Sequence, residues 1–177
     1  MKRLILLAVA SLLALAPCAP ADSKNTTTLS SPDGQYELTL PDSWEAADFH
    51  VDKVQIGAEN KSRGEYVEVI AENQRDYTDS LTRYAQAKRD TMALSLDNPR
   101  LTEPQQTKIN GLPAVRCEIH GQLPNTNTAV GYLLTVIKTK THYIQIVAWV
   151  KDSHFSDRKG DLTSLADGFS ETSRAGK

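Results

Sequence analysis

Residues 129–151, AVGYLLTVIKTKTHYIQIVAWVK, are too apolar for a strand pair with one wet side. The stretch divides into two strands around a polar turn, Lys138-Thr139-Lys140-Thr141. Val130, Tyr132, Leu134 and Val136 share one face of the first strand, and Gly131, Leu133, Thr135 and Ile137 the other. The second strand sets Ile144, Ile146, Ala148 and Val150 against Tyr143, Gln145, Val147 and Trp149. A half-buried strand alternates apolar with polar residues, whereas these are largely apolar on both faces. The hairpin is therefore expected at the centre of a sheet covered twice, with helices as the covers.

The flanking sequence supplies those helices. Downstream, a helix is expected from Asp152 or Ser153, with Phe155, Lys159, Leu162, Ala166 and Phe169 at spacings of four and three; Gly160 weakens its early turns. Upstream, Leu81, Tyr84, Ala85, Lys88, Met92 and Leu96 mark a second amphipathic helix with Thr78 as N-cap. Pro99 forbids its continuation beyond Asn98, and Lys88 is expected to lay its stem on the core with its amine pointing outward. Asn110-Gly111 joins strands 102–109 and 114–121, since a primed turn needs positive φ at both central positions. Strands are also expected at 51–58 and 66–72. Pro32-Asp33-Gly34 turns between 27–30 and 36–40. Runs of hairpins with separate helices give an α+β fold, a central antiparallel β-sheet flanked by helices on both faces, or an α/β/α sandwich.

The chain has 177 residues, with 20 basic and 22 acidic. Lys2-Arg3 and the apolar run from Leu4 to Leu15 make a signal peptide over residues 1–21, since the run is too short to span a bilayer. Ala19-Pro20-Ala21 offers a cleavage site that leaves Asp22 first. The alternative is a lipoprotein: Leu15-Ala16-Pro17-Cys18 resembles a lipobox whose Cys18 would carry a lipid anchor, although Pro17 departs from it. Either reading sends the protein across the inner membrane, to the periplasm or to an envelope anchor. Residues 22–28 read as a flexible segment, 29–172 as one domain and 173–177 as a frayed end. The mature form carries no membrane span, and interspersed charge without a basic block argues against nucleic acid as a partner.

No motif declares a reaction. Nucleophile elbow, zinc-protease, P-loop and dinucleotide fingerprints are all absent. Cys117 alternates with Val115 and Ile119 and reads as a small buried hydrophobe. Arg116, Glu118 and His120 share the opposite strand face; they form either a ligand- or partner-binding set, with an acid–base pair or half a metal site within it, or a solvated polar face. Glu68 and Glu72 lie about 13 Å apart along a strand, too far for paired-carboxylate chemistry. His50, His142 and His154 each flank an expected element. Trp44 either caps an end of the core or anchors a ligand or partner. No catalytic residue, metal site or cofactor is expected.

The ordered features resemble a family. Tyr36-Glu37-Leu38-Thr39-Leu40-Pro41-Asp42-Ser43-Trp44 is similar to the opening strand and Leu-Pro-x-x-Trp of PsbP-like and DcrB-like proteins. Ile109-Asn110-Gly111-Leu112-Pro113-Ala114 resembles their mid-chain hairpin, and the closing helix with Ala166-Asp167-Gly168-Phe169 resembles their last segment. The likeness spans residues 30 to 172. It implies the Mog/PsbP-type α/β/α sandwich and a non-enzymatic role in docking on other proteins, with no catalytic residues to carry over. The expected function is thus an exported accessory protein bound to another cell-envelope protein. The alternatives are a small-molecule or lipid carrier with a pocket near Trp44 and, least favoured, a hydrolase.

Overall fold

The computed structural model describes residues 25–49 and 53–172. The expected leader, Cys18, His50 and the C-terminal tail lie outside them. In chain order the elements are β1 (Thr26–Ser30), β2 (Tyr36–Pro41), β3 (Glu45–Ala46), β4 (Val54–Asn60), β5 (Glu65–Asn73), α1 (Leu81–Ala93), β6 (Asp97–Leu101), β7 (Gln105–Ile109), β8 (Leu112–Gln122), β9 (Ala129–Lys138), β10 (His142–Lys151), α2 (Asp152–Asp167) and β11 (Phe169–Glu171). An eight-stranded sheet runs β3-β4-β5-β10-β9-β8-β6, with β7 also paired to β8. All pairings described are antiparallel.

The apolar hairpin is β9–β10, and it occupies the middle of that order. From Val130 to Ile137 every residue but Tyr132 is buried, and from Tyr143 to Val150 every residue but Trp149. Alternate residues of each strand feed different core clusters, as the two-residue strand period requires. Leu133, Ile137, Ile144, Ile146, Ala148 and Val150 join the cluster that holds Phe155, Leu162, Leu165 and Ala166 of α2. Val130, Leu134, Val136, Tyr143 and Val147 join the cluster that holds Tyr84 and Ala85 of α1. α1 packs chiefly on β8 and β9, and α2 on β9 and β10.

The first hairpin does not extend the central sheet. β1 and β2 form a three-stranded sheet with β11, order β1-β2-β11, and Tyr36, Leu38 and Leu40 join the α2 cluster. Thr26 to Thr28 are therefore strand, although they fall within the segment 22–28 read as flexible; their partners are Pro41, Leu40 and Thr39. Phe169, expected on the last helix, lies instead in β11 opposite Leu38. Gly168 makes the switch possible. Its carbonyl accepts from the Thr39 amide at 2.9 Å, and a Cβ there would lie 2.1 Å from the Thr39 oxygen. The Asn110-Gly111 turn, with φ of 48° and 82°, is primed as expected. Its Asn110 amide also donates to the carbonyls of Asp167 and Phe169 at 3.0 and 2.7 Å.

α1 is shorter than its apolar period suggests. Its N-cap is Ser80 rather than Thr78, the Ser80 hydroxyl accepting from the Arg83 amide at 3.4 Å. It ends at Ala93, and the chain turns through residues 94–96 into the outermost strand β6, in which Asn98 takes φ 51° at a register shift and Pro99 is exposed. An outermost strand has one unpaired side, so it tolerates a proline. The described chain holds no helix long and apolar enough to cross a membrane.

Candidate functional site

β8 carries Arg116, Glu118 and His120 toward α2, and α2 closes over them. They are half-buried, not a solvated face. His120 Nδ1 lies 2.5 Å from Asp152 in the first turn of α2, and its ring stands edge-on to Phe155 at 4.6 Å. A glycine is needed opposite it: His120 pairs with Gly131, where a Cβ would lie 2.5 Å from the Phe155 ring. Glu118 takes Lys159 of α2 at 2.6 Å, and Arg100 takes Asp152 at 3.0 Å. Arg116 stands apart, donating to the Thr135 hydroxyl at 3.1 Å, and burial lowers its pKa. Glu118, His120 and Arg100 are thus consumed by Lys159 and Asp152 in clamping α2 to the sheet. Among the described residues no group of three or more His, Cys, Asp or Glu is arranged to hold a metal ion.

Trp44 is 5% exposed and belongs to the α2 cluster, its amide donating to Pro41 at 3.0 Å. Beside it lies a hollow of about 370 Å³ whose wall includes Arg63, Glu65 and Asp161. Glu65 is 1% exposed and pairs with Arg63 at 2.9 Å. Cys117 is 2% exposed among the α1 cluster, and burial pushes its thiol up to about 12, which leaves it protonated and inert at neutral pH.

A second polar hub ties α1 to the sheet. Glu72 receives the hydroxyls of Tyr77 and Tyr84 at 2.7 and 2.5 Å, and the Lys88 amine at 2.5 Å. Lys88 therefore turns its amine inward, over the rings of Tyr77 and Tyr84 at 5.2 Å, and not outward. Burial alone would raise the Glu72 pKa; Lys88 and the two hydroxyls outweigh it and bring the carboxyl down to about 2.

Among the described residues, one region of the sheet has no such closure. Tyr66, Trp149 and Tyr132 stand side by side on β5, β10 and β9, for Trp149 is opposite both tyrosines. Tyr66 and Trp149 stack at 5.3 Å, Tyr132 lies 5.9 Å from Trp149, and Phe49 leans on Trp149 at 5.3 Å. All four rings are half-buried. A hollow of about 530 Å³ opens at the strand ends, walled by these three strand rings with Arg63, Lys151 and His154. A second, of about 280 Å³, lies toward Met92 and Ser95 near the end of α1 and holds Glu68. Beyond it Leu94 stands 88% exposed. Tyr66, Tyr132, Glu68 and Lys151 were not expected as a site. The signal was available in one place: of the three tyrosine and tryptophan rings in the hairpin strands, Tyr132, Tyr143 and Trp149, register sets Tyr132 and Trp149 opposite each other, and only these two stay half-buried.

No protein-family model and no curated protein sequence matches the chain. Solved structures do. The solution structure of cyanobacterial PsbP (CyanoP) from Synechocystis sp. PCC 6803 matches at TM-score 0.64 and 15% identity, over 89% of this chain and 99% of that one. The Saccharomyces cerevisiae Ran-binding protein Mog1p matches at 0.58 and 12%, over 84% and 96%. LpqN of Mycobacterium tuberculosis, described as involved in cell envelope biogenesis, matches at 0.56 and 13%, over 84% and 91%. Identities this low speak for architecture alone. A largely antiparallel sheet with two helices, aligned along nearly the whole length of these three proteins, gives this chain the PsbP-like, PsbP/Mog1-type fold.

Proposed function

We propose that the protein is an exported, non-enzymatic accessory protein of the cell envelope that works by docking on another protein. One observation carries this reading: the half-buried rings Tyr66, Tyr132 and Trp149 lie open on the central sheet while the other clusters of polar side chains described above are engaged with one another. Half-exposed tyrosine and tryptophan bordering a hollow are the residues that dominate protein interfaces. The description of Mog1p as Ran-binding supports a docking role, and that of LpqN supports an envelope setting. Residues 1–21 have the composition of a leader, and we assign the mature protein to the periplasm, starting at Asp22, with Cys18 lipidation as the alternative. Within this reading the two core clusters are the two faces of a helix-flanked sandwich of the DcrB-like kind.

The test is a photo-reactive amino acid at Tyr132 in living cells, with the exposed α1 residue Gln86 as control. A discrete cross-linked product from position 132 and none from 86 is expected. The absence of any product at 132 sinks the docking role. Mass spectrometry of the mature N-terminus checks the assignment to Asp22. A second reading, a small-molecule carrier, draws on the 370 Å³ hollow beside Trp44. Native mass spectrometry that finds a small molecule retained by the purified protein would favour it.

A further inference from the structure

The two hollows beside the aromatic ridge have opposite charge. The larger one is lined by Arg63, Lys151 and His154 and, among the described residues, by no acid. Arg63 is already paired with Glu65 and Asp161, so the unengaged charge is that of Lys151, which has no ion pair among the described residues. The smaller hollow is lined by Glu68 and, among the described residues, by no base. Glu68 also makes no hydrogen bond or ion pair there, and burial raises its pKa. A half-buried carboxylate without a partner is costly and gains from an incoming cation. Tyr132 and Trp149 belong to both hollows, so the acid and the base face each other across one ring wall.

The register sets the spacing. Glu68 is opposite Val147, Tyr66 is opposite Trp149, and Lys151 follows two residues later on the same side of β10 as Trp149. The acidic and basic levels are thus four strand residues apart, about 13 Å, with the rings midway. An extended polypeptide repeats that distance between its own residues i and i+4.

On that geometry, and resting on the docking reading above, we propose that this groove binds an extended segment of a partner protein. The segment places a basic side chain at Glu68, an apolar or aromatic side chain on Trp149, and an acidic group at Lys151 four residues along. The mixed polar and aromatic walls suit such a segment, whereas an acyl chain requires a closed apolar tunnel.

The probes are three blocked peptides with the cores Lys-Ser-Phe-Ser-Glu, Lys-Ser-Phe-Ser-Lys and Glu-Ser-Phe-Ser-Glu, titrated against the full mature protein. The mixed-charge peptide is expected to bind about 10-fold more tightly than either like-charged one. Glu68→Lys is expected to transfer the preference to the doubly acidic peptide, and Lys151→Glu to the doubly basic one. Trp149→Ala is expected to weaken all three by about 10-fold or more. Equal thermal midpoints for the two charge variants show that the groove, not the fold, has changed. The proposal is overturned if no peptide binds, if the three bind alike, or if the charge variants leave the ranking unchanged. It is also overturned if vesicles of phosphatidylethanolamine bind with the same dependence on Glu68 and Lys151, which makes the ligand a zwitterionic lipid. Should the cross-link from position 132 survive both charge variants while the peptides fail, the docking role stands and this groove does not. Peptide discrimination without any cross-link removes the docking role instead.

Discussion

The two core clusters use the same hairpin and end differently. In the cluster around α2, Gly131 lets Phe155 press onto the sheet, Gly168 lets the backbone cross Thr39, and β2 with β11 fill the remaining width. In the cluster around α1, a single helix covers β8 and β9, and Tyr66, Glu68 and Trp149 on the neighbouring strands stay half-buried. The cause is width. Strands are about 4.8 Å apart and a helix is about 10 Å across, so one helix roofs about two strands; α1 also reaches Tyr143 and Val147 of β10, but Trp149 nearer the end of that strand stays half-buried. α2 has a second small sheet beside it, and α1 does not. What the contrast teaches is that the open groove follows from a shortage of cover, and that its residues can change with little harm to the fold.

The largest expected effect tests the closed cluster. Phe155→Ala removes a side chain only 3% exposed and is expected to cost about 3–5 kcal/mol in urea unfolding. A loss no larger than that of a surface residue breaks the contrast. Glu72→Gln comes next and probes how α1 is held. The folded carboxyl titrates at about 2 against an ordinary 4.5. Its pKa is depressed, so its stabilisation is complete above the ordinary value and is lost as pH falls toward 2. The variant is therefore expected to be on the order of 2–3 kcal/mol less stable at pH 7, with the deficit shrinking to less than about 1 kcal/mol at pH 2. A deficit that does not shrink with acid shows that the hub is not electrostatic.

Trp149→Ala sharpens the comparison from the open side, with an expected loss of about 1–2 kcal/mol, well below Phe155→Ala, from a ring that is only half-buried. If the two losses match, the ridge is core and not a docking surface. Lys159→Ala is the smallest. Its pair with Glu118 is short at 2.6 Å, but the lysine side chain is 51% exposed. Less than about 1 kcal/mol is expected, and less again in high salt.

The central hairpin was legible because its apolar residues fall on both strand faces, which no half-exposed strand tolerates. The primed turn at Asn110-Gly111, the helix from Asp152 and the buried Cys117 were legible for similarly local reasons: backbone φ, apolar period and alternation. The candidate set Arg116, Glu118 and His120 was read on the correct shared face, but its closure by Lys159 and Asp152 was not, because nothing local says which strand α2 crosses. Local apolar period also overran both helices: Leu96 lies in the turn after α1 and Phe169 in β11 beyond α2, since burial in a turn or strand looks the same in one dimension as burial in a helix.

Amino-acid order alone was thus enough for the middle of the sheet, its turns and the absence of a recognisable reaction motif, since each depends on neighbours within a few residues. The detachment of β1 and β2 into a separate sheet with β11, and the row Tyr66–Trp149–Tyr132 with Glu68 on one side and Lys151 on the other, depended on pairing between distant segments. Register across three strands cannot be read from any one of them. It is set only when the whole sheet closes, and that closure is what leaves the groove open.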